Sequence, residues 1–578
     1  MLLRLLRVFL LLPVATTLGA SVNAQGTTDL LLINGKIITV DPHDTVAEAI
    51  VIRDGKILAT GKTAEMRKLA SANARIIDLH GRAATPGLVD THCHFDEARQ
   101  LYSIGLSDAR SIPEVQERVR AEVSTLKPGE WVQGYGWDEG KLAERRYITA
   151  ADLDKVAPNN PVWLGHTTGH YSAVNSYALR LANITPETKD PTAGTIDRDA
   201  KRAPTGVLKE AAMDLVEPLI PAFTHEQKHN AILKMMADFN REGMTAAKDP
   251  GIVPEKWLLY QEILNENKAT VRVFALFLGG SSIDSTKQTL AVLQPLRRPP
   301  QSYGDGMLLA GGVKFFMDGS GGARTAWVYS PWFQHGDQLD AGNTGYPAID
   351  PETYRKMVRL LHDNGIHVST HAVGDRAIDW VVDTYSEVLK EKPTRDLRHG
   401  LIHGVLPTDH AIDALAQLQK QYGSGYPEVQ PPFLWWIGDL YSSTFGPERR
   451  ARTLPLKTFQ ERGILWAGGS DFSVTPYPAR YGLWSAIARQ TLNGTYGKQP
   501  FGTKEAIDIR TALKAYTIWA AHQLFLENQI GSLEPGKDAD IAVWDRDPYG
   551  VPTDSLKDMK CELTLLRGKV VYDSANDK

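Results

Sequence analysis

The chain has 578 residues, of which 42% are hydrophobic and 23% are charged, and its formal net charge is −4. These proportions are those of a globular protein and exclude a disordered or low-complexity chain. Because the chain is mildly acidic and lacks a long basic run, we expect neither nucleic acid nor a membrane surface as a partner. The length fits one large barrel with insertions as well as it fits several smaller domains.

The amino terminus has the pattern of a secretory signal peptide. A start with two arginines precedes an apolar run at 8–20, and the small residues Val22 and Ala24 stand at positions −3 and −1 of a cleavage site. The apolar run is shorter than the roughly 20 residues that span a bilayer, which disfavours a membrane anchor. We predict that residues 1–24 are removed and that the mature protein is exported, either periplasmic or secreted, without membrane contact.

Both ends of the mature chain have the pattern of short β-strands separated by turns. Asn34-Gly35 and Asp54-Gly55 are hairpin signals in the first segment, and glycines divide two further β-rich runs near the carboxyl terminus. We predict that 25–86 and 524–578 together complete one sheet structure, because chain termini often lie close together. Cys93 and Cys561 then fall in different domains, so the sequence does not imply a disulfide framework.

The middle of the chain, 87–523, alternates apolar strands with amphipathic helices such as 351–364 and 409–422. This alternation predicts an α/β fold with parallel strands. Seven or eight units favour a closed (β/α)₈ TIM-type barrel over an open doubly wound sheet, which would require a Gly-rich phosphate loop. A segment at about 100–235 breaks the alternation and is predicted to be a large insertion that covers the active-site mouth. Beyond the first strand at 89–91, the stretches expected to hold strands are 244–249, 271–278, 311–319, 365–375, 398–405 and 463–471.

The motif GLVDTHCHFDEA at 87–98 suggests a metal site. Alternation along a strand places His92 and His94 on one face and Cys93 on the other, where a small buried side chain is expected. Two imidazoles at i and i+2 can bind one ion from the end of a strand.

Three more candidate ligands, His371, His403 and Asp471, each stand where a predicted strand ends. Barrel active sites are built at the carboxyl ends of several strands, so these side chains are expected to converge with His92 and His94 on zinc or a similar divalent ion. His367 and His399 begin the same strands and are expected at the opposite end of the barrel. The spacing of His166 and His170 resembles a helical zinc pair, but glycine and threonines between them argue against a helix.

Lys314 raises the question of how many metal ions are present. A protonated lysine cannot bind a cation, but CO₂ can convert its amine to a carbamate, which can bridge two ions. The alternative is an ion pair between Lys314 and a carboxylate such as Asp318, with a single metal ion.

Several stretches together resemble the metal-dependent amidohydrolase superfamily, specifically its YtcJ-like branch, which includes N-substituted formamide deformylases. The matching stretches are PGLVDTHCH, GWDEGKLAERRYITAADLDKVAPNNPVWLGHTTGHYSAVNSYAL, GVKFFMDGSGGARTA, HAVGDRAID, GSDFSVTPYPA and IGSLEPGKDADIAVWD. The resemblance extends from about residue 29 to the carboxyl terminus. It implies a (β/α)₈ barrel flanked by a β-sandwich made from both chain ends.

The resemblance also implies a role for particular residues. It makes His92, His94, His371, His403 and Asp471 the metal-site residues, with Lys314 as a carbamylated bridge, and it places His170 near the substrate. The loop after Lys314 departs from the family pattern DGSLGSRTA at Gly321 and Ala323. The resemblance therefore does not indicate which substrate this protein uses.

From these residues we predict a hydrolase that cleaves a non-peptide C–N bond in a small molecule through metal-activated hydroxide, with Asp471 as the proton carrier. Trp137 and its aromatic neighbours either wall the pocket or pack in a core. Two other functions stay open: a heterocycle deaminase with the same ligands, and a non-catalytic exported regulatory or binding protein. Assembly into a homo-oligomer also stays open.

Overall fold

The computed structural model of the protein describes residues 29–95, 97–296, 301–334, 338–494 and 501–577. The predicted signal peptide lies outside these residues.

The centre of the molecule is a barrel of eight parallel strands, in agreement with the predicted fold class. Neighbouring strands pair in chain order. The barrel closes between its last and first strands, where the Thr91 amide donates to the Gly468 carbonyl (3.1 Å) and the His94 amide donates to the Phe472 carbonyl (2.7 Å). The strands are β1 (Leu88–Asp90), β2 (Met244–Ile252), β3 (Arg272–Leu278), β4 (Leu308–Phe316), β5 (His367–Ala372), β6 (Gly400–His403), β7 (Tyr426–Val429) and β8 (Ala467–Gly468).

Strand β7 is absent from the strands expected from the sequence. It has four residues, YPEV, and contains Pro427 and Glu428, which argue against a buried strand in the sequence alone. Both residues are tolerated here because the strand is short and because Glu428 has polar partners inside the barrel. Strand β8 is two residues long, much shorter than the stretch 463–471 that was predicted for it.

Both chain ends contribute strands to one β-sandwich. A four-stranded sheet has the order Lys56–Gly61, Ala49–Arg53, Leu30–Ile33 and Arg75–Asp78. A six-stranded sheet has the order Lys569–Asp573, Cys561–Leu566, Ile541–Trp544, Ala83–Pro86, Lys36–Ile38 and Val46–Ala47, so strands from both ends share it. Apolar side chains such as Leu32, Ile50, Ile541 and Leu565 fill one core between the sheets.

The two hairpin signals in the first segment have different outcomes. Asp54 (φ 52°) and Gly55 (φ 78°) form a two-residue turn between paired antiparallel strands, as predicted. The prediction of a hairpin at Asn34-Gly35 is wrong, because the strands on either side of this dipeptide belong to different sheets. A Cβ on Gly35 would lie 2.4 Å from Leu79 Cδ1, so close packing explains this glycine.

The region between β1 and β2 has a mixed six-stranded sheet of its own. The order is Gly194–Arg198, Pro204–Glu210, Tyr171–Val174, Val162–His166, Val132–Trp137 and Ile104–Gly105. This sheet ends at Glu210, and the following helix, His225–Arg241, packs against β2. Trp137 is fully buried in the core of this sheet and donates from Nε1 to the Leu164 carbonyl (2.9 Å), so it packs there and does not wall the pocket.

Helices cover the outside of the barrel, and their apolar faces form the largest core cluster. In the part of the chain that the structure describes, no helix combines the length and apolar character needed to span a bilayer. The α-helices of at least ten residues are Ile112–Val123, His225–Arg241, Pro254–Asn265, Ile283–Leu296, Pro351–Asp363, Asp375–Glu391, Asp409–Tyr422 and Ala479–Ala488. Shorter ones are Thr63–Leu69, Glu97–Tyr102, Ala150–Asp154, Ser176–Leu181, Pro432–Trp436, Gly438–Thr444, Gly446–Arg452, Leu456–Glu461, Ile509–Ala515 and Ile518–Gln523.

Candidate metal centre

Four of the candidate ligands meet at the carboxyl end of the barrel. His92 Nε2 lies 3.2 Å and His94 Nε2 lies 3.3 Å from the same oxygen of Asp471, Oδ1. Ligand atoms of His92, His403 and Asp471 all lie within 4.8 Å of one another. Strands β1, β6 and β8 therefore bring side chains almost 400 positions apart in sequence to a single point.

His371 lies beside this group but is oriented differently. Its ring centroid is 4.5 Å from that of His403, and its Nε2 lies 2.9 Å from the Gly319 carbonyl and 3.4 Å from Asp318 Oδ1. Gln430 Oε1, 2.6 Å from His403 Nδ1, fixes the orientation of the His403 ring and leaves Nε2 for another partner.

Lys314 ends in the barrel interior beneath these imidazoles. Its side chain is fully buried, and among the described residues its Nζ has no hydrogen-bond partner. The Lys314–Asp318 ion pair considered above is therefore not formed. Instead, Asp318 accepts hydrogen bonds from the amides of Trp327, Val373 and Gly374.

A buried ion pair joins Lys248 of β2 to Glu428 of β7, with 3.0 Å between Nζ and Oε1. Ser369 donates to the same Glu428 oxygen at 2.5 Å. Further towards the amino ends of the strands, His367 Nδ1 bonds the Leu397 carbonyl and His399 contacts His362. These histidines lie at the end of the barrel opposite the candidate ligands.

Asp90 connects the two segments that carry His92 and Asp471. Its Oδ1 accepts from the amides of His92 and Ser470 (both 3.0 Å), and its Oδ2 accepts from Ser470 Oγ at 2.6 Å. Burial raises the pKa of Asp90 to about 7, against the opposing effect of these hydrogen bonds. The carboxylate thus holds the end of β1 against the loop that follows β8.

The charge states of the candidate ligands suit a cation. Burial lowers the pKa of His92 and of His403 well below the usual range, and burial likewise lowers the pKa of His371. Burial alone would raise the pKa of Asp471, but the adjacent imidazoles outweigh it and hold that pKa well below its usual value. The site therefore offers neutral imidazoles and an ionised carboxylate, which are the forms that bind metal ions.

The residues present fit a divalent metal ion. His92 Nδ1 and Lys314 Nζ are buried atoms without a hydrogen-bond partner in the described part of the chain, which is costly unless another group satisfies them. Nitrogen and carboxylate oxygen donors are those that zinc and similar ions prefer. Among the residues that the structure describes, two other groups of three possible ligands occur, Asp138 with Glu139 and His166, and His229 with Glu262 and Glu266.

A cavity of about 800 Å³ opens above the candidate ligands and is the space available to a substrate. His170 lines it, with its Nδ1 2.9 Å from Glu210 Oε2, and Thr325 Oγ1 donates to the other Glu210 oxygen at 2.5 Å. Although burial opposes it, the Glu210 carboxylate raises the pKa of His170. Tyr135 lines the cavity as an aromatic residue, the role that the sequence analysis considered for Trp137.

The sequence does not predict most of the residues that orient the site. Gln430, which orients His403, follows a strand that the sequence does not reveal, and Glu210, which holds His170, lies in the region between β1 and β2. Asp90 was within reach, because it stands two residues before His92 in the same motif. No sequence signal marked Lys248 and Glu428 as partners, since they are 180 positions apart.

A closed parallel barrel with this donor set at the carboxyl ends of its strands defines a metal-dependent hydrolase. The chain belongs to the amidohydrolase family, whose model matches residues 75–572. This confirms the resemblance found in the sequence.

Similar proteins cover nearly the whole chain. The putative amidohydrolase YtcJ of Bacillus subtilis is 28% identical, over 94% of this chain and 99% of its own length. The N-substituted formamide deformylase of Arthrobacter pascens is also 28% identical, over 94% of this chain and 98% of its own length. An uncharacterized metal-dependent hydrolase from Pyrococcus horikoshii has a similar fold, with a TM-score of 0.70 and 24% identity over 91% of this chain and 99% of its own.

Proposed function

We propose that the protein hydrolyses a non-peptide C–N bond in a small amide, formamide or related compound, with zinc or a similar divalent ion as cofactor. The observation that carries this proposal is the convergence of His92, His94, His403 and Asp471 at the floor of a cavity large enough for a small molecule. The similarity to an N-substituted formamide deformylase over most of both chains supports the choice of bond.

We assign the cofactor to these four residues, with His371 beside them. When bound, the ion supplies Lewis acidity, which makes water nucleophilic at neutral pH and polarises the carbonyl group under attack. Lys314 completes a site for a second ion if CO₂ converts its amine to a carbamate. Burial lowers the pKa of Lys314 to about 8, which makes the free amine accessible for that reaction near neutral pH.

Asp471 is the residue to which we assign proton transfer. It stays ionised under the influence of the neighbouring imidazoles, so it can accept a proton from the attacking water and deliver it to the leaving nitrogen. His170 lines the same cavity and is held by Glu210, and we assign it to contact with the substrate.

The test is a turnover assay of the metal-loaded protein on a panel of N-formyl and N-acyl amines. We expect equimolar amine and carboxylate, and we expect Asp471→Asn to lower kcat by about 10²–10⁴ while the circular dichroism spectrum is unchanged. Asp413→Asn, at an exposed carboxylate of a surface ion pair, is the control and should leave kcat unaltered.

Other products would contradict the proposal in distinct ways. Ammonia released from a heterocycle, without amine or carboxylate, would indicate a deaminase. Full metal loading without turnover of any panel member would indicate a regulatory or binding protein on the same fold.

We also propose that the protein is exported after cleavage following Ala24. The support is the charged start, the short apolar run and the small residues before Gln25. Intact-mass measurement of the protein from cell fractions should give, in the periplasm or the medium, a chain that begins at Gln25. A full-length chain retained in the cytoplasm would contradict export.

A further inference from the structure

The turn at residues 166–170, with the sequence HTTGH, forms part of the wall of the cavity that the candidate ligands line. It joins strands Val162–His166 and Tyr171–Val174 of the six-stranded sheet that lies between β1 and β2 in the chain. Thr167 Oγ1 donates to the Val474 carbonyl (3.0 Å), which fixes this HTTGH turn to the loop that carries Asp471. Thr168 and Asp471 line the same inner part of the cavity.

A chain of polar contacts runs through this turn. Glu139 Oε2 lies 3.1 Å from His166 Nε2, and His166 Nδ1 lies 2.9 Å from Thr168 Oγ1. The contacts thus run from the Glu139 carboxylate through the His166 imidazole to the Thr168 hydroxyl. His166 is fully buried, with the Tyr171 ring stacked on it at 3.8 Å and the Trp137 ring packed edge-on at 4.8 Å.

The hydrogen-bond network determines where the His166 proton lies. The Thr168 amide donates to His166 Nδ1 at 3.1 Å, so Nδ1 is an acceptor and carries no proton. The ring proton is therefore on Nε2, facing Glu139, which also accepts from the Tyr171 hydroxyl (2.8 Å). Because the unprotonated Nδ1 lies 2.9 Å from Thr168 Oγ1, the favourable arrangement has the hydroxyl donating to the Nδ1 lone pair, which it shares with the Thr168 amide. In that arrangement the lone pairs of Oγ1 can act only as acceptors.

We infer that Thr168 is a specificity-determining residue that accepts a hydrogen bond from the substrate N–H. This inference rests on the proposed C–N hydrolase function. The substrate class is then an amide or formamide with one substituent on nitrogen, and analogues that lack the N–H are disfavoured. Glu139 and His166 are positioning residues, since they fix the direction of the Thr168 hydroxyl without touching the substrate.

This arrangement also serves the cleavage step. The leaving nitrogen must direct its lone pair at the proton carried by Asp471 once the carbonyl carbon has become tetrahedral. A hydrogen bond from the N–H to Thr168 holds the nitrogen in one orientation, so that its lone pair faces Asp471. In the products, the C–N bond is replaced by a C–O bond from water, and the nitrogen leaves with the proton that Asp471 took from that water.

A metal ion at Asp138, Glu139 and His166 is less compatible with the same contacts. The Lys141 ammonium is buried 3.8 Å from Asp138 Oδ2 and already supplies positive charge to this cluster. His166 Nε2 is engaged with Glu139 and with the Tyr171 hydroxyl (2.7 Å). The cluster is a hydrogen-bonded support for the HTTGH turn.

The test compares two substrates that differ by a single N-methyl group, N-butylformamide and N-butyl-N-methylformamide, with the metal-loaded full chain. We expect kcat/KM to favour the N–H compound by at least about tenfold, the usual effect of one hydrogen bond. Thr168→Val has nearly the same shape but no hydroxyl, and it should lower kcat/KM for the N–H compound about tenfold while leaving the N-methyl compound unchanged. Thr168→Ser, the matched control, should keep the preference.

The outcomes separate the two proposals. If the wild type hydrolyses both compounds equally, the inference is wrong and the hydrolase proposal stands. A preference that persists in Thr168→Val is steric, which also overturns the inference. If no member of the wider amide panel is hydrolysed either, both proposals are wrong.

The positioning role of Glu139 has a separate readout. The amide side chain introduced by Glu139→Gln can donate to His166 Nε2 and so weakens the tautomer that orients Thr168. We expect this variant to lose part of the preference for the N–H compound and to keep its rate on the N-methyl compound. A preference equal to that of the wild type would show that Glu139 does not position Thr168.

Discussion

At the scale of single residues, burial sets the chemistry of the site. The same loss of hydration keeps His92 and His403 neutral and brings Lys314 close to neutrality. Asp471 is the exception, because adjacent imidazoles favour its charged form more strongly than burial opposes it. Cation binding therefore requires little change in the protonation of these side chains near neutral pH.

Lys314 leads to a prediction about stability in the metal-free protein. Its pKa falls from 10.5 to about 8 on folding, so below pH 8 the buried ammonium costs about 3 kcal/mol. Between pH 8 and 10.5 the unfolded chain binds more protons than the native one, so wild-type stability rises with pH. We expect Lys314→Met in CO₂-depleted buffer to raise the thermal midpoint at pH 7, with the gain gone above about pH 10.5.

The matched control is Lys248→Met, which removes a buried ammonium that does have a partner. This change leaves the buried Glu428 carboxylate without its cation and should lower the thermal midpoint. A Lys314→Met protein less stable than the wild type at pH 7 would show that the ammonium has a partner in the folded protein.

At the scale of elements, the barrel closes through a very short strand. Strand β8 contributes two residues, and contacts beyond it complete the join to β1. Asp90 and Ser470 link the segments that carry His92 and Asp471, so the closure of the barrel and the assembly of the metal centre depend on the same hydrogen bonds.

We therefore expect Ser470→Ala to weaken metal binding about 10–100-fold, as is common when a residue that orients metal ligands is changed. The variant loses the bond from Ser470 Oγ to Asp90 Oδ2 and the one from the Phe472 amide to Ser470 Oγ (3.0 Å), while the Ser470 amide still donates to Asp90. Metal content after dialysis against graded chelator measures the effect. Ser485→Ala is the control, because within the described residues its buried hydroxyl has no hydrogen-bond partner. If the two variants retained the metal ion equally well, barrel closure and metal binding would not depend on the same hydrogen bonds.

At the scale of the whole molecule, the sandwich and the barrel are joined through a buried charge cluster. Arg272 at the start of β3 is fully buried and bonds Asp540 Oδ2 (2.7 Å) and Asp538 Oδ2 (2.8 Å) from the carboxyl-terminal part of the chain. It also donates to the Gly306 carbonyl (3.2 Å). The barrel therefore depends on a segment more than 260 positions away.

Arg272→Met should destabilise the protein by about 3–5 kcal/mol, because it leaves the buried Asp540 carboxylate without a cation and removes one of the cations that face Asp538, which keeps Lys56. The comparison is Arg462→Met, which removes an exposed ion pair with Asp413 and should cost about 0–1 kcal/mol. Thermal unfolding of both variants measures the difference. Equal midpoints would mean that the cluster does not hold the sandwich to the barrel.

The sequence by itself determined the barrel, the two-part sandwich and the list of candidate ligands. Strand alternation and residues at strand ends are local signals. The HxH motif at 92–94 and the candidate ligands at the ends of β5, β6 and β8 could therefore be predicted from the sequence alone. Prediction from the sequence failed where the local strand propensity conflicts with the tertiary fold. In β7, Pro427 and Glu428 are poor strand residues, yet they lie in a buried strand.

Only the tertiary structure decided how those ligands and the neighbouring cavity wall are held and oriented. Gln430 on His403, Asp90 on Ser470 and the Glu139–His166–Thr168 chain are contacts between side chains on different elements. Apart from the short step within the HTTGH turn, their distances depend on how strands and loops pack. The physical reason is that periodicity specifies which face a side chain occupies, whereas hydrogen-bond partners depend on which other elements reach that face.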